Sequence, residues 1–374
     1  MKSKRAIKGN DHSRVGDKYL VPIVAKTIDI LDSFRSESES LSLKELIQRT
    51  GMPHTTAYRI LHTLVARDYL SQSGHLYRLN QLRRRPKFGF ANLSTQISLA
   101  VEIQKSLEKA AAAGGVDLVV WDNDRNADKA IQNAEEMAEG RVDIAIEFQL
   151  FEQVAPIISD IFTRARIPVI SLVNPHHGSL YLGVDNYRAG VSAGIALADY
   201  ATKYWRGRLD ALLLLESPPA GRTVQSRLVG ALRGIEKQLG SLPPKVVHHL
   251  DSGGDKATSR AAVEAFTREN RARRILVVGI NDESAIGAAQ AAEQTNGKRE
   301  FAIVGHGGSS QMIEAIANPE SPCIGTVLFH PELYGPELVS FALMTLRGKP
   351  TAPAHYIEHE FLGKDVHVPQ RVSR

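Results

Sequence analysis

Cysteine is almost absent from this chain of 374 residues: Cys323 stands alone and cannot form an intrachain disulfide, so no disulfide framework holds the fold. No run of about eighteen apolar residues occurs, which argues against a spanning helix and for a soluble protein. The first twenty residues are polar and charged, without the apolar core of a signal peptide, so a cytoplasmic location is expected. Residues 1–18 also lack any apolar period and read as a disordered basic tail. Catalytic signatures are missing as well. His306-Gly307-Gly308 has the form of an oxyanion-hole loop, but no Gly-x-Ser-x-Gly elbow supplies a nucleophile. There is no Gly-Lys-Ser phosphate loop and no dinucleotide glycine spacing with its acidic partner. The adjacent pairs His176-His177 and His248-His249 would diverge on a strand, with no cysteine cluster or His-x-x-x-His helix beside them. No catalytic residue, metal or cofactor is therefore expected, and no enzyme.

What is present is a segregated charge. Residues 1–87 hold 17 of the 46 Lys and Arg and 8 of the 41 Asp and Glu, a net of +9, which leaves −4 for the remainder. Phosphate neutralisation dominates DNA affinity, so a small basic domain on a mildly acidic body suits a DNA reader. The run Arg83-Arg84-Arg85-Pro86-Lys87 fits either a solvated linker or a phosphate contact.

The basic segment has its own pattern. Pro22 to Arg35 places Val24, Ile28 and Leu31 on one helical stripe, with proline where a first turn tolerates a missing N–H. Ser42-Leu43-Lys44-Glu45 is a capping box, and Gly51 suits the left-handed residue that ends a short second helix. In His54 to Arg67, Ala57, Ile60, Leu61 and Leu64 form an apolar face, while Thr55, Tyr58, Arg59 and His62 form a polar one. Two strand-like runs, 69–72 and 76–79, flank Ser73-Gly74-His75 as a hairpin wing. The order helix, helix, helix, wing resembles the DNA-binding domain of the isocitrate lyase regulator (IclR) type. Its motifs are matched by Gly51-Met52-Pro53-His54-Thr55-Thr56, Arg59-Ile60-Leu61-His62-Thr63-Leu64 and His75-Leu76-Tyr77-Arg78-Leu79. The resemblance implies a winged helix-turn-helix over 19–82. His54, Thr55, Thr56, Tyr58, Arg59 and His62 would enter a major groove, with His75 of the wing on the backbone or minor groove.

Beyond the linker at 83–87, nine short apolar runs alternate with amphipathic stretches: 88–93, 116–121, 142–148, 167–173, 209–215, 246–250, 275–280, 301–305 and 324–329. Such alternation predicts an α/β fold, and nine or ten strands fit two doubly wound parallel sheets better than one. Ligands in such folds sit where strand C-termini meet helix N-termini, here between two lobes.

The segments Ile167-Pro168-Val169-Ile170, Gly183-Val184-Asp185-Asn186-Tyr187-Arg188-Ala189-Gly190, Arg227-Leu228-Val229-Gly230 and Asn281-Asp282-Glu283-Ser284-Ala285-Ile286-Gly287-Ala288 carry a second resemblance, as does Gly348. They resemble, in order, the type 1 periplasmic-binding-protein-like effector domains of Lac repressor family regulators and ribose-binding receptors. That resemblance implies an effector domain over 88–374. Lobe 1 would hold about 88–185 and 330–352, lobe 2 about 186–329 and 353–374, with crossings near Asp185-Asn186, Phe329-His330 and Pro353. It makes Arg227 a cleft arginine and Asn281 a ligand-binding amide, although Asn281 also suits a helix N-cap and Arg227 a surface ion pair. Departures from the sugar receptors are His306 in place of an acid, Val173-Asn174 in place of Asp-Arg, and Phe329 in place of Gln. Gln96 and Gln149, with Ser94, Thr95 and Phe148, follow strands that would line the first lobe's side of the cleft. With Arg227 and His306 present and no acid opposite, a ligand bearing a carboxylate or phosphate, or a modified sugar, fits the set.

The sequence thus reads as a ligand-responsive bacterial transcription regulator. It would bind operator DNA as a homodimer and take a small sugar-like effector in the interlobe cleft. The alternative is a solute receptor of a sugar transport system.

Overall fold

The computed structural model describes residues 20–36, 39–80, 85–295 and 297–364, so the basic tail, Arg83-Arg84 of the linker and the C-terminal end lie outside the described residues. The chain divides into two compact units, one up to Arg85 and one from Pro86.

The first unit packs α1 (Pro22–Asp32), α2 (Leu43–Thr50) and α3 (His54–Ala66) with β1 (Ser40–Ser42), β2 (Leu70–Ser73) and β3 (Leu76–Leu79). The capping box forms: the Ser42 N–H donates to Glu45 Oε2 at 2.8 Å and the Glu45 N–H to Ser42 Oγ at 3.3 Å. Gly51 ends α2 in the left-handed region at φ 67°. The hairpin gains a third strand that the sequence pattern did not suggest, because β1 pairs with β3 in the order β1-β3-β2. Ala57, Ile60, Leu61 and Leu64 of α3 enter a core with Ile30, Leu46 and Leu70. The stripe expected on α1 is only partly buried. Leu31 is in the core, whereas Val24 and Ile28 are 52% and 50% exposed, and Ile30 is buried in their stead.

The second unit is two-lobed, with two six-stranded sheets. Lobe 1 contains β4 (Lys87–Asn92), α4 (Ser98–Gly114), β5 (Asp117–Asp122), α5 (Ala127–Glu139), β6 (Ile144–Gln149), α6 (Ala155–Ala165), β7 (Val169–Val173) and β8 (Leu180–Val184). Lobe 2 follows with α7 (Asn186–Trp205), β9 (Ala211–Glu216), α8 (Gly221–Leu239), β10 (Val247–Asp251), α9 (Lys256–Glu269), β11 (Arg274–Gly279), α10 (Asp282–Glu293), β12 (Glu300–Gly307), α11 (Ser310–Ala317) and β13 (Cys323–Leu328). The chain then returns through α12 (Pro331–Leu346), which packs on α4, and closes with β14 (Ala354–Ile357) and β15 (Glu360–Gly363).

All nine apolar runs become strands, and three further strands, β8, β14 and β15, join them. Lobe 1 has the order β14-β8-β7-β6-β4-β5, and lobe 2 the order β10-β9-β11-β12-β13-β15. Every pairing in both is parallel except β13 with β15, which is antiparallel. The third crossing differs from expectation. Strand β14 pairs with β8 in lobe 1, so the chain passes to lobe 2 at 358–359, between β14 and β15, and not near Pro353.

Two glycine pairs bring α7 and α8 together backbone to backbone. A Cβ on Gly190 would lie 1.9 Å from the Arg227 carbonyl oxygen, and one on Gly230 2.1 Å from that of Tyr187. This contact fixes the axial position of Arg227 on α8, because no side chain separates the helices there.

Candidate functional site

Two surfaces carry the residues singled out by the sequence. In the first unit His54, Thr55, Tyr58, Arg59 and His62 of α3 are exposed, Thr56 is half-buried, and His75 is exposed at the hairpin tip. Helical spacing divides them into two flanks. The rings of Tyr58 and His62 are neighbours on one flank, tilted by 39° with 6.4 Å between centroids. Thr55, Thr56, Arg59 and Thr63 instead line a groove with Ile23 and Thr27 of α1. Thr63, which the sequence reading passed over, donates its hydroxyl to the Arg59 carbonyl and shares that flank. The face offers a cation, hydroxyls and an aromatic edge without an acidic side chain among them, which is a set that meets phosphates and base edges.

In the second unit the lobes meet at two bridges. Arg125, in the loop after β5, reaches across to donate to the Gly253 carbonyl of lobe 2 at 2.9 Å. Glu152, before α6, accepts from the Arg222 N–H in the first turn of α8 at 3.3 Å, where the helix end favours a negative charge. Arg125 and Asp124 before it have φ of 50° and 48°, a left-handed pair that non-glycine residues seldom adopt.

Between the lobes lies a small cavity with a solvent-accessible core of about 20 Å³, room for about one water-sized group. Leu99, Ile103, Phe148, Leu172 and Val173 wall its lobe 1 side, and Arg227 and Asn186 enter from lobe 2, with Phe329 at the second crossing. Val173 holds φ 68°, a left-handed conformation unusual for a β-branched residue. Tyr181 of β8 and Tyr334 of α12 complete the polar lining.

Arg227 is 7% exposed. Its Nε donates to Asn186 Oδ1 at 2.7 Å and its Nη1 to the Ile280 carbonyl at 2.8 Å. The guanidinium carbon stands 4.8 Å from the centre of the Phe329 ring. Burial lowers its pKa to about 10, which still leaves it charged at neutral pH. Burial also pushes Tyr181 up to about 12, and Tyr334 further above the usual tyrosine range.

The structure places the remaining candidates differently. Asn281 is an N-cap: its Oδ1 accepts from the Ser284 N–H at 2.9 Å and its Nδ2 donates to the Gly254 carbonyl at 2.8 Å, so both ends of the amide are engaged. His306 is buried, and Nδ1 must donate to the Gly279 carbonyl, 2.9 Å away, because a carbonyl only accepts. Burial, then the Arg227 charge, lowers its pKa to about 3 and holds it neutral. It does not line the cavity. Gln149 points to the opposite face of its sheet, where Nε2 meets His176 Nε2 at 3.1 Å and Oε1 accepts from the Phe151 N–H. Asn174 is buried and donates to the Leu150 carbonyl at 2.7 Å. Gln96 is exposed, its backbone N–H held by Ser94 Oγ, while Thr95 bonds Asp122. Of the seven expected ligand residues, Arg227 and Phe329 line the cavity, as does Phe148 among the weaker ones. Tyr181, Asn186 and Tyr334 were missed. Asn186 lies in a segment already singled out, but the tyrosines come from β8 and α12 and converge only in the fold.

Comparison with known proteins follows the same division. The profile of the periplasmic binding protein domain matches residues 88–350, and that of the IclR helix-turn-helix domain matches 23–74. No curated protein matches the chain. Among solved structures, a periplasmic solute binding protein of an ABC transporter from Actinobacillus succinogenes 130z, with bound D-allose, superposes with a TM-score of 0.64 at 19% identity, covering 75% of this chain and 98% of that one. A solute binding protein from Mycobacterium smegmatis with bound glycerol gives 0.66 at 17%, covering 75% and 94%. A glucose-galactose binding protein from Geobacillus stearothermophilus gives 0.63 at 21%, covering 76% and 100%. At these identities the likeness is one of fold.

Proposed function

Because the chain belongs to the periplasmic binding protein domain family and joins that domain to an IclR helix-turn-helix, we propose that it is a ligand-responsive transcription regulator. The observation that carries this reading is the pairing itself: a solute-binding fold and a DNA-binding fold in one chain. Operator DNA is bound through α3 and the wing, and a small polar effector of the sugar, sugar acid or sugar phosphate class is held between the lobes. Solved relatives of the two-lobed unit bind D-allose and glycerol, which supports an effector of comparable size.

The protein acts in the cytoplasm as a homodimer. No helix among the described residues is long and apolar enough to cross a membrane. A two-fold pair matches a palindromic site, and the exposed apolar residues Val24 and Ile28 of α1, with Leu20 ahead of it, offer a surface for pairing. Effector binding biases lobe closure, and closure alters the spacing of the paired winged domains.

The second reading, a solute receptor of a sugar transport system, is favoured by the transporter proteins among the structural relatives. A DNA selection with the full chain separates the two. The regulator reading expects recovery of a preferred sequence, with that preference reduced by Thr55→Ala and Tyr58→Ala. Recovery of no preferred sequence favours the receptor.

A further inference from the structure

The cavity between the lobes has an unbalanced set of hydrogen-bonding groups. Arg227 is a buried cation that feels the charge of Asp282 at longer range, yet no carboxylate of the described residues lies within ion-pairing distance of it. Two of its three nitrogens bond neutral acceptors, and Nη2 has no hydrogen-bond partner among the described residues. The Tyr334 hydroxyl likewise makes no hydrogen bond among them, whereas that of Tyr181 meets the Asn186 side chain and makes a long contact, 3.5 Å, to the Val184 carbonyl. Neither Asp nor Glu lines the cavity, and the one side-chain carbonyl of its lining, Asn186 Oδ1, already serves Arg227. The rest of the wall is Leu, Ile, Val and Phe.

A buried charge without a partner is costly, and donors left unmet in an apolar wall cost more than donors in water. A neutral polyol does not balance this wall, because each hydroxyl brings a donor as well as an acceptor. A carboxylate balances it: it brings acceptor lone pairs only and the opposite charge, in a plane that suits a guanidinium edge.

We propose that the cavity is a carboxylate-binding subsite in which Arg227 and Tyr334 donate to the acid group of the effector, so that the effector is an organic acid and not a neutral sugar. This rests on the effector reading of the two-lobed unit.

The test uses the full chain and probes small enough for the cavity. Thermal unfolding is followed with sodium formate or sodium acetate against sodium chloride at equal ionic strength, and with formamide and acetamide as neutral isosteres. Formate or acetate should raise the midpoint by about 2–4 °C over chloride at a concentration well above the dissociation constant, and the amides should not. Arg227→Lys should keep part of the shift, Arg227→Met should lose it, and Tyr334→Phe, which preserves the charge and the fold, should weaken acid binding severalfold. No shift with either acid, an amide as effective as its acid, or an unchanged shift in both Arg227→Met and Tyr334→Phe overturns the proposal. If Arg227→Met fails to fold, Tyr334→Phe and the acid-to-amide contrast still decide it. A neutral sugar that stabilises the chain and changes its DNA affinity, where formate and acetate do nothing, would overturn this inference while leaving the regulator reading intact.

Discussion

Glu147 sits in the middle of β6 with no exposure, and neither carboxyl oxygen has a hydrogen-bond partner among the described residues. Burial raises its pKa well above the ordinary 4.5, so the folded chain keeps a proton that the unfolded chain gives up above that pH. The unfolded state then binds fewer protons, and stability falls as pH rises from about 4.5 toward the folded value. Glu147→Gln carries no titrating group and should flatten this slope: its midpoint relative to the parent should be higher at pH 8 than at pH 5. A constant difference between the two chains across that range would count against a protonated Glu147. His176 and His306 act on the other side. Burial lowers them to about 4 and about 3, so the unfolded chain binds their protons first, and stability drains away as pH falls below the ordinary 6.5. The cavity was half legible at this scale. Arg227 announced itself through its motif, and Phe329 as a departure from one. Asn281 did not, because an asparagine opening a helix looks the same whether its amide meets a ligand or caps the helix.

At the scale of elements, the nine strands that the sequence displayed are mostly interior strands, whose two covered faces demand continuous apolar runs. β8 is interrupted by Gly183 and follows a turn, and β14 is an edge strand with His355 and Tyr356 exposed, so neither shows such a run. The α7 and α8 glycines give an element-scale prediction. Gly190→Ala must push the helices apart, at a cost of about 2–3 kcal/mol and roughly 5–10 °C in unfolding midpoint. It should also weaken the effector response, since the displaced backbone is that of Arg227. Calorimetry on this variant, with an exposed helical Ala such as Ala261 changed to Ser as a control, checks the claim, and an unshifted midpoint would refute the close packing. The two interlobe bridges make a second prediction. Each contributes about 1–2 kcal/mol to the closed arrangement, so Arg125→Ala or Glu152→Gln should weaken effector binding about 5- to 30-fold. Scattering should report a larger mean radius of gyration for the double variant, and an unchanged affinity in both single variants would remove them from closure.

For the whole molecule, the charge segregation and the two resemblances fixed the plan: a basic winged unit followed by a two-lobed α/β unit. The finer wiring, in which β14 stays with lobe 1 and β15 turns antiparallel beside β13, depends on contacts between residues far apart in the chain. The proposed function is, at this scale, a coupling between an effector and DNA. Such coupling is typically about 1–3 kcal/mol, roughly 5- to 150-fold in affinity, and acts equally in both directions. The most direct measurement is the affinity of the full chain for its selected DNA, with and without an effector found by thermal screening over sugars, sugar acids and sugar phosphates. It is made in parallel on the parent and on Arg227→Ala. The account predicts a change within that range for the parent, and for Arg227→Ala the same basal affinity with no change. An unaltered affinity of the parent at saturating effector, or a full response in Arg227→Ala, would contradict it.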